Sequence, residues 1–238
     1  MKKLYKKEKF DNFNDWFVAR GIGGSSASAL FDCNPYMSKL DLYCAMTSNP
    51  NDSVHSLEEM NEDTETESTA RGIALEPIIR EFIKVRFKGK YRIQTPNGFT
   101  MYRRIDKPYL TATLDGLLID IETGDRWVLE IKTHLVIGKA DLQEWNNHLP
   151  QRYFIQSLHY PVVLNDVKGT IVVANLIYTD FETGLPRMNG VGDEIRYYII
   201  PRDIKNEKGE LMTDIVEKVE TNFMENNVNK RRPPNFKI

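Results

Sequence analysis

Two acids set into apolar strand sequence restrict this chain more than any other feature. Thr113-Leu114-Asp115-Gly116-Leu117 is followed by Leu129-Glu130-Ile131-Lys132-Thr133. Acids are seldom buried unless they are paired or hold an ion. Side chains alternate along a strand, so Glu130, Lys132 and Val128 share one face, and Leu129 and Ile131 turn the other way into the core. If Asp115 opens the neighbouring strand, an acid–acid–lysine cluster forms at one sheet edge. Two carboxylates brought together repel unless a cation lies between them. Hard oxygen donors select Mg²⁺ or Mn²⁺. A lysine beside such an ion can orient or help to deprotonate an ion-bound water that is already acidified. A surface strand of alternating charge is the alternative, and the apolar residues around Glu130 argue against it.

The rest of the pattern predicts a mixed α/β (α+β) fold. Residues 10–47 read as helical, with Phe13, Trp16 and Phe17 at helix spacing, a break at Arg20–Ser25, and Ser38 as a helix cap. A further helix is expected over 69–88, kinked or started late by Pro77. Strands are expected at Tyr91–Thr95, Gly98–Arg103, Leu114–Ile121 and Arg126–Thr133, then at Thr170–Thr179 and Glu194–Pro201. Gln151–Leu164 and most of Asp203 to Asn226 read as helices. Helices, a meander, a helix, strands and a helix together suit a central mixed sheet flanked by helices.

Composition bounds the function classes. The 238 residues are 41% hydrophobic and 28% charged, as expected for one globular domain with appendages. No apolar run approaches the roughly 18 residues that span a bilayer. The basic start, Met1 to Lys7, leads into no apolar segment, so no secretory leader is expected. Cys33 and Cys44 are too few for a disulfide framework, and a reducing cytoplasm fits. The histidines lack zinc-ligand spacing, and there is no phosphate-cradling loop of an ATP motor. The net charge of −2 disfavours a protein that simply coats duplex DNA. The charge is uneven, however. Asn51–Thr69 holds acids and no Lys or Arg, so an acidic surface insertion is expected at 48–68. Basic clusters fall at Lys2–Lys9, Arg80–Arg92, Arg103-Arg104 and in a C-terminal tail around Lys230–Arg232.

Asp115…Glu130-Ile131-Lys132 resembles the core of the PD-(D/E)XK nucleases, whose fold is restriction-endonuclease-like. Further segments resemble one branch, the lambda-exonuclease-like or YqaJ-type viral recombinases. They are Gly21-Ile22-Gly23-Gly24-Ser25, Asn34-Pro35-Tyr36 with Leu40-Asp41-Leu42-Tyr43, Arg71-Gly72-Ile73-Ala74-Leu75-Glu76-Pro77, and Gln156-Ser157-Leu158-His159-Tyr160. The motifs keep the family's order from about residue 16 to 165; Leu114 stands where the superfamily name has a proline.

The resemblance implies a single nuclease domain over 1–238 and a role for each matched position. Asp115 and Glu130 would be the main metal ligands, joined by the carbonyl of Ile131 and by Glu76, directly or through water. Lys132 would position the attacking water. Gln156 would orient Lys132 or touch the scissile phosphate, supported by Tyr160. Ser25 and Thr113 would hold a DNA phosphate, and Arg20 would approach a terminal one. The implied activity is Mg²⁺- or Mn²⁺-dependent exonucleolytic digestion of linear duplex DNA from the 5′ end, with one or two ions per site. The implied setting is phage recombination in a bacterial cytoplasm beside a single-strand annealing protein. The implied assembly is a homo-oligomer, some relatives closing into trimeric rings on DNA. An endonuclease or RecB-like nuclease would share the catalytic core. A non-catalytic DNA-binding relative would share the fold, and linear against closed circular duplex separates the three.

Overall fold

A computed structural model describes residues 2–48, 67–96, 98–146, 148–180, 183 and 194–235. Strand β1 (Tyr5–Phe10) leads into short helices α1 (Phe13–Val18) and α2 (Gly24–Ala27), a 3₁₀ turn at Ser28–Phe31, and α3 (Lys39–Thr47). The long helix α4 (Glu67–Arg86) precedes a meander of β2 (Tyr91–Gln94), β3 (Phe99–Arg104), β4 (Thr111–Ala112), β5 (Gly116–Asp120) and β6 (Arg126–Val136). Then follow α5 (Lys139–Asn146), α6 (Gln151–Val163), β7 (Gly169–Tyr178), β8 (Glu194–Pro201) and α7 (Met212–Phe223).

The main sheet runs β2-β5-β6-β7-β8, and a smaller one runs β1-β3-β4. Only the β6–β7 pairing within the main sheet is parallel. A parallel pair needs a long crossover, and α5 with α6 supplies it. The register sets Gly116 opposite Leu129 and Leu117 opposite Val128, so Asp115 arrives beside Glu130 just before β5.

Both faces of the main sheet are covered. On one side α4 lays Ile79 and Ile83 against Leu118, Leu129, Ile131, Ile171 and Val173. On the other, α6 packs Ile155, Leu158 and Tyr160 into a larger core with Leu114, Leu117, Val128 and Val172. Glu130 shares the face of this larger core, so the expectation that apolar packing lies only opposite the acids is corrected: the central strand is buried on both faces.

Several sequence expectations change. β1 was not expected, because its alternating Lys-Lys-Glu-Lys pattern belongs to an edge strand with one wet face. α5 was not expected either. Pro77 neither delays nor ends α4, which runs through it. The acidic insertion at 48–68 falls almost wholly outside the described residues, although Glu67 and Ser68 already belong to α4. The C-terminal helix begins at Met212, not near Asp203; before it, Lys205 and Leu211 close a turn by an isolated bridge. No helix among the described residues is long and apolar enough to cross a membrane.

Candidate active site

The G-I-G-G segment is dictated by close approach. A Cβ on Gly21 would sit 2.1 Å from the carbonyl oxygen of Tyr109. That space lets Ile22 run beside Leu110 and lets Ile22 N–H donate to Tyr109 O at 2.7 Å. A Cβ on Gly24 would come within 3.0 Å of the Gln156 and Tyr160 side chains. Glycine there allows α2 to lie directly on α6. The two distant motifs are thus two sides of one contact.

Beneath that contact lies Glu130, 3% exposed. Its Oε1 accepts from Lys132 Nζ at 2.7 Å and from Gln156 Nε2 at 2.7 Å; its Oε2 accepts from Tyr160 OH at 2.6 Å. Gln156 and Tyr160 lie four apart on α6, so one helical face delivers both donors. Gln156 Nε2 also lies 2.8 Å from Tyr160 OH. Asp115 joins from just before β5, its Oδ2 accepting from Ile131 N–H at 2.7 Å. Glu76 and Arg80, one turn apart on α4, form an ion pair, and Arg80 Nε donates to the Asp115 carbonyl at 3.1 Å.

The electrostatics are those of crowded acids. Burial, then the nearby charges of Glu130 and Glu76, push the Asp115 carboxyl well above its ordinary range, against a smaller opposing pull from Lys132. Burial opposes the charge on Lys132, but Glu130 and Asp115 outweigh it and hold the ammonium above its usual value. The ammonium also lies 5.0 Å above the Tyr153 ring. Burial, Glu130 and Asp115 together push the Tyr160 phenol well above the normal range, so it stays a hydrogen-bond donor.

Asp115, Glu130 and Lys132 are therefore brought together, with Glu76 beside them and the Ile131 backbone between the acids. The donor set is all oxygen and carries mutual repulsion, which suits a hard divalent cation. Among the described residues, no three His, Cys, Asp or Glu side chains stand close enough to hold an ion by themselves. The fit is thus two carboxylates with a backbone carbonyl, and Glu76 is tethered to Arg80.

Two expected roles change. Gln156 bonds Glu130 and Tyr160, not Lys132. Tyr160 is buried at 2% exposure, so it holds Glu130 and does not face a phosphate.

The expected phosphate residues border this cluster: Ser25 follows Gly24 on α2, and Thr113 lies two residues before Asp115. Ser25 and Thr113 are exposed. Arg20 and Ser25 line one cavity of about 340 Å³ with Phe17, Met37 and Met46. The Arg20 guanidinium stacks on Trp16 at 4.9 Å and on Phe17 at 5.8 Å. It has no carboxylate partner among the described residues, and burial lowers its pKa. A half-buried, unpaired guanidinium beside a serine is ready for an anion.

The Arg103-Arg104 pair is not available for DNA. Arg103 donates to Glu8 and to the carbonyls of Pro108 and Ala19. Arg104 is 8% exposed and reaches Asp106, Glu217 and the Val162 carbonyl.

The sequence reading missed Arg80, although its spacing of four from Glu76 on a helix was visible. It also missed a pair behind α6. His159 Nδ1 lies 2.6 Å from Glu220 Oε1, and Nε2 lies 2.8 Å from the Thr111 carbonyl. Both side chains are fully buried. Thr111 in turn accepts from Gly21 N–H, which connects α7 to the G-I-G-G segment.

Comparisons with known proteins bear on the family and the fold. By sequence the chain is 25% identical over 154 residues to the protein YqaJ of Bacillus subtilis (strain 168), a region that is 63% of this chain. It covers 42% of that relative, so the chain spans less than half of the relative's length. The fold matches the crystal structure of an alkaline exonuclease (LHK-Exo) from Laribacter hongkongensis with a TM-score of 0.53, at 14% identity, over 92% of this chain and 94% of that one. The description "YqaJ-like viral recombinase domain" matches residues 15–166, a span that holds the glycine segment, the acids of α4, β5 and β6, and the donors of α6. This match covers more than half of the chain, and the chain belongs to the YqaJ-like viral recombinase domain family.

Proposed function

We propose that the chain is a Mg²⁺- or Mn²⁺-dependent deoxyribonuclease that digests linear duplex DNA from a 5′ end. Its product would be the single-stranded overhang that a strand-annealing protein uses in recombination. The observation that carries this reading is the meeting of Asp115, Glu130 and Lys132, with Lys132 bonded to Glu130 at 2.7 Å. Asp115, Glu130 and the Ile131 carbonyl would hold the cation, with Glu76 as a further acid. When bound, such a cation neutralises charge on a scissile phosphate and acidifies a coordinated water.

The chain's own residues account for the remaining work. Lys132 keeps its proton beside two acids, so it donates: it orients the attacking water and offsets negative charge on the phosphate. Gln156 and Tyr160 occupy Glu130 from the α6 side and fix its rotamer. Arg20, with exposed Ser25, would hold a terminal phosphate, whose extra charge an unpaired guanidinium favours over an internal diester. Thr113 would touch the backbone nearer the acids. A homo-oligomer, a cytoplasmic site of action in a bacterial host and the annealing partner complete the proposal.

The test is incubation with Mg²⁺ of 5′-phosphorylated linear duplex beside covalently closed circular duplex. The expected result is loss of the linear form only. Cutting of the circle would make the chain an endonuclease, and binding without cutting of either would leave a DNA-binding protein of the same fold.

A further inference from the structure

Helix α4 carries several i,i+3 and i,i+4 ion pairs, and one differs from the others. Arg71–Glu67 and Lys84–Glu81 join side chains at the helix surface, where Glu67 and Glu81 are 86% and 68% exposed. Exposed pairs of this kind contribute little. Arg71 and Arg80 are similarly covered, but the acid Arg80 holds is only 36% exposed, and the Arg80 guanidinium works in two directions. Nη2 holds Glu76 Oε1, and Nε reaches out of the helix to the Asp115 carbonyl. Ile79 and Ile83, both fully buried, fix this stretch of α4 against the sheet. The base of the Arg80 side chain is therefore held in place, and the carbonyl it grips lies one residue before β5.

Glu76 differs in kind. Its side chain is 36% exposed, and no other protein donor to it is found among the described residues. Left alone, such a side chain would sample several rotamers. Because Arg80 uses only Oε1, Oε2 remains available.

We propose that Arg80 is the positioning residue of the site: a forked guanidinium, anchored on the Asp115 backbone, that holds Glu76 toward a water of the cation which Asp115 and Glu130 bind. The inference rests on the reading of Asp115 and Glu130 as cation ligands. Charge alone does not suffice for the task. A planar fork spans two acceptors at fixed separation, and a lysine ammonium is a point charge on a flexible stem. Arg80→Lys therefore keeps the charge and removes the geometry.

The experiment titrates Mn²⁺ into the chain without DNA, read by electron paramagnetic resonance, for wild type, Arg80→Lys, Glu76→Gln and the double variant. Melting curves establish that each is folded. Outer partners of metal ligands typically contribute 10–100-fold in affinity. Arg80→Lys should weaken Mn²⁺ binding by about tenfold or more. In the Glu76→Gln background the same change should matter less than about twofold, because the two residues act as one unit. Duplex affinity should keep its salt slope in a further variant, Arg80→Ala.

Wild-type Mn²⁺ affinity in Arg80→Lys would overturn the proposal, as would an effect undiminished by Glu76→Gln. A salt slope smaller by about one in Arg80→Ala would overturn it too, and would make Arg80 a phosphate ligand. The nuclease reading fails separately. If wild type binds Mn²⁺ and cuts no DNA, that reading falls and the binding cycle still decides Arg80. If wild type binds no Mn²⁺, both fall.

Discussion

Removing Glu220 tests the most deeply buried ionic contact among the described residues. His159 and Glu220 are fully enclosed, 2.6 Å apart, and the second imidazole nitrogen lies 2.8 Å from the Thr111 carbonyl. Both ring nitrogens face oxygen atoms, an arrangement that favours the imidazolium with its two N–H donors. Burial disfavours that charge, but Glu220 and then the Thr111 carbonyl outweigh it, and the His159 pKa lies above its ordinary value. Glu220→Ala strips the partner from a buried cation, a change that costs about 3–5 kcal/mol. For a chain of this length each kcal/mol moves Tm by about 2–4 °C, so Tm should fall by about 6–20 °C. The pH dependence has a definite sign. A histidine whose folded pKa is raised contributes fully below its unfolded value of about 6.5, and loses that contribution as pH rises through the folded value. The gap in Tm between wild type and Glu220→Ala should thus be widest near pH 6 and shrink on the alkaline side. Thermal melting followed by circular dichroism from pH 5.5 to 10 measures it. A Tm loss under about 2 °C, or a gap that widens with rising pH, would refute the reasoning. Replacing both members with apolar residues of similar size should recover much of the loss, since well-packed hydrophobes often equal a buried pair.

Three further outcomes follow from the site. Asp115→Asn should abolish Mg²⁺-dependent cleavage yet raise Tm at neutral pH, because the folded state holds this acid against burial, Glu130 and Glu76; a lower Tm would show that its bond to Ile131 N–H dominates. Lys132→Met should slow single-turnover cleavage by about 10²–10⁴-fold while duplex affinity holds; collapse of affinity with normal cleavage would make Lys132 a phosphate clamp. Arg20→Ala should erase any preference for 5′-phosphorylated over 5′-hydroxyl ends and lower the salt slope of binding by about 0.9. A preference that survives in this variant would place the contact elsewhere, and Arg103, fully engaged with Glu8, Pro108 and Ala19, is not the substitute.

What the sequence made legible was whatever has a local cause. Asp115, Glu130 and Lys132 were readable because charge within apolar strand sequence is costly and alternation assigns a face. Glu76, Gln156, Ser25 and Arg20 gained meaning only through the family's motif order, since an acid before proline or a glutamine on an amphipathic helix says little alone. The hold of Tyr160 on Glu130 was not legible because depth is not local: Gly24 lets α2 lie directly on it. The Arg103-Arg104 pair looked like a basic patch, since its partners Glu8, Ala19 and Glu217 lie far off in sequence. His159 was visible as a histidine on an apolar face, but its partner lies on α7, 61 positions away. The α7 start was misplaced for a related reason: the Lys205–Leu211 turn is closed by a bridge that no helix propensity reports.

The burial of β6 on both faces sets up a gradient of mechanical stiffness across the molecule. Amides of a central strand, paired on both edges and covered by α4 and α6, open to hydrogen exchange only when the whole chain unfolds. Glu130 and Lys132 follow directly on that segment and stay paired with β7. Arg20 instead follows the six-residue α1, which has no buried residue and opens at smaller cost. Mild denaturant should therefore separate two properties of the chain. Discrimination between DNA ends fades first, as α1 loosens, and bond cleavage persists until the global transition. The part that meets each new end is free to yield, and the part that does the chemistry is not.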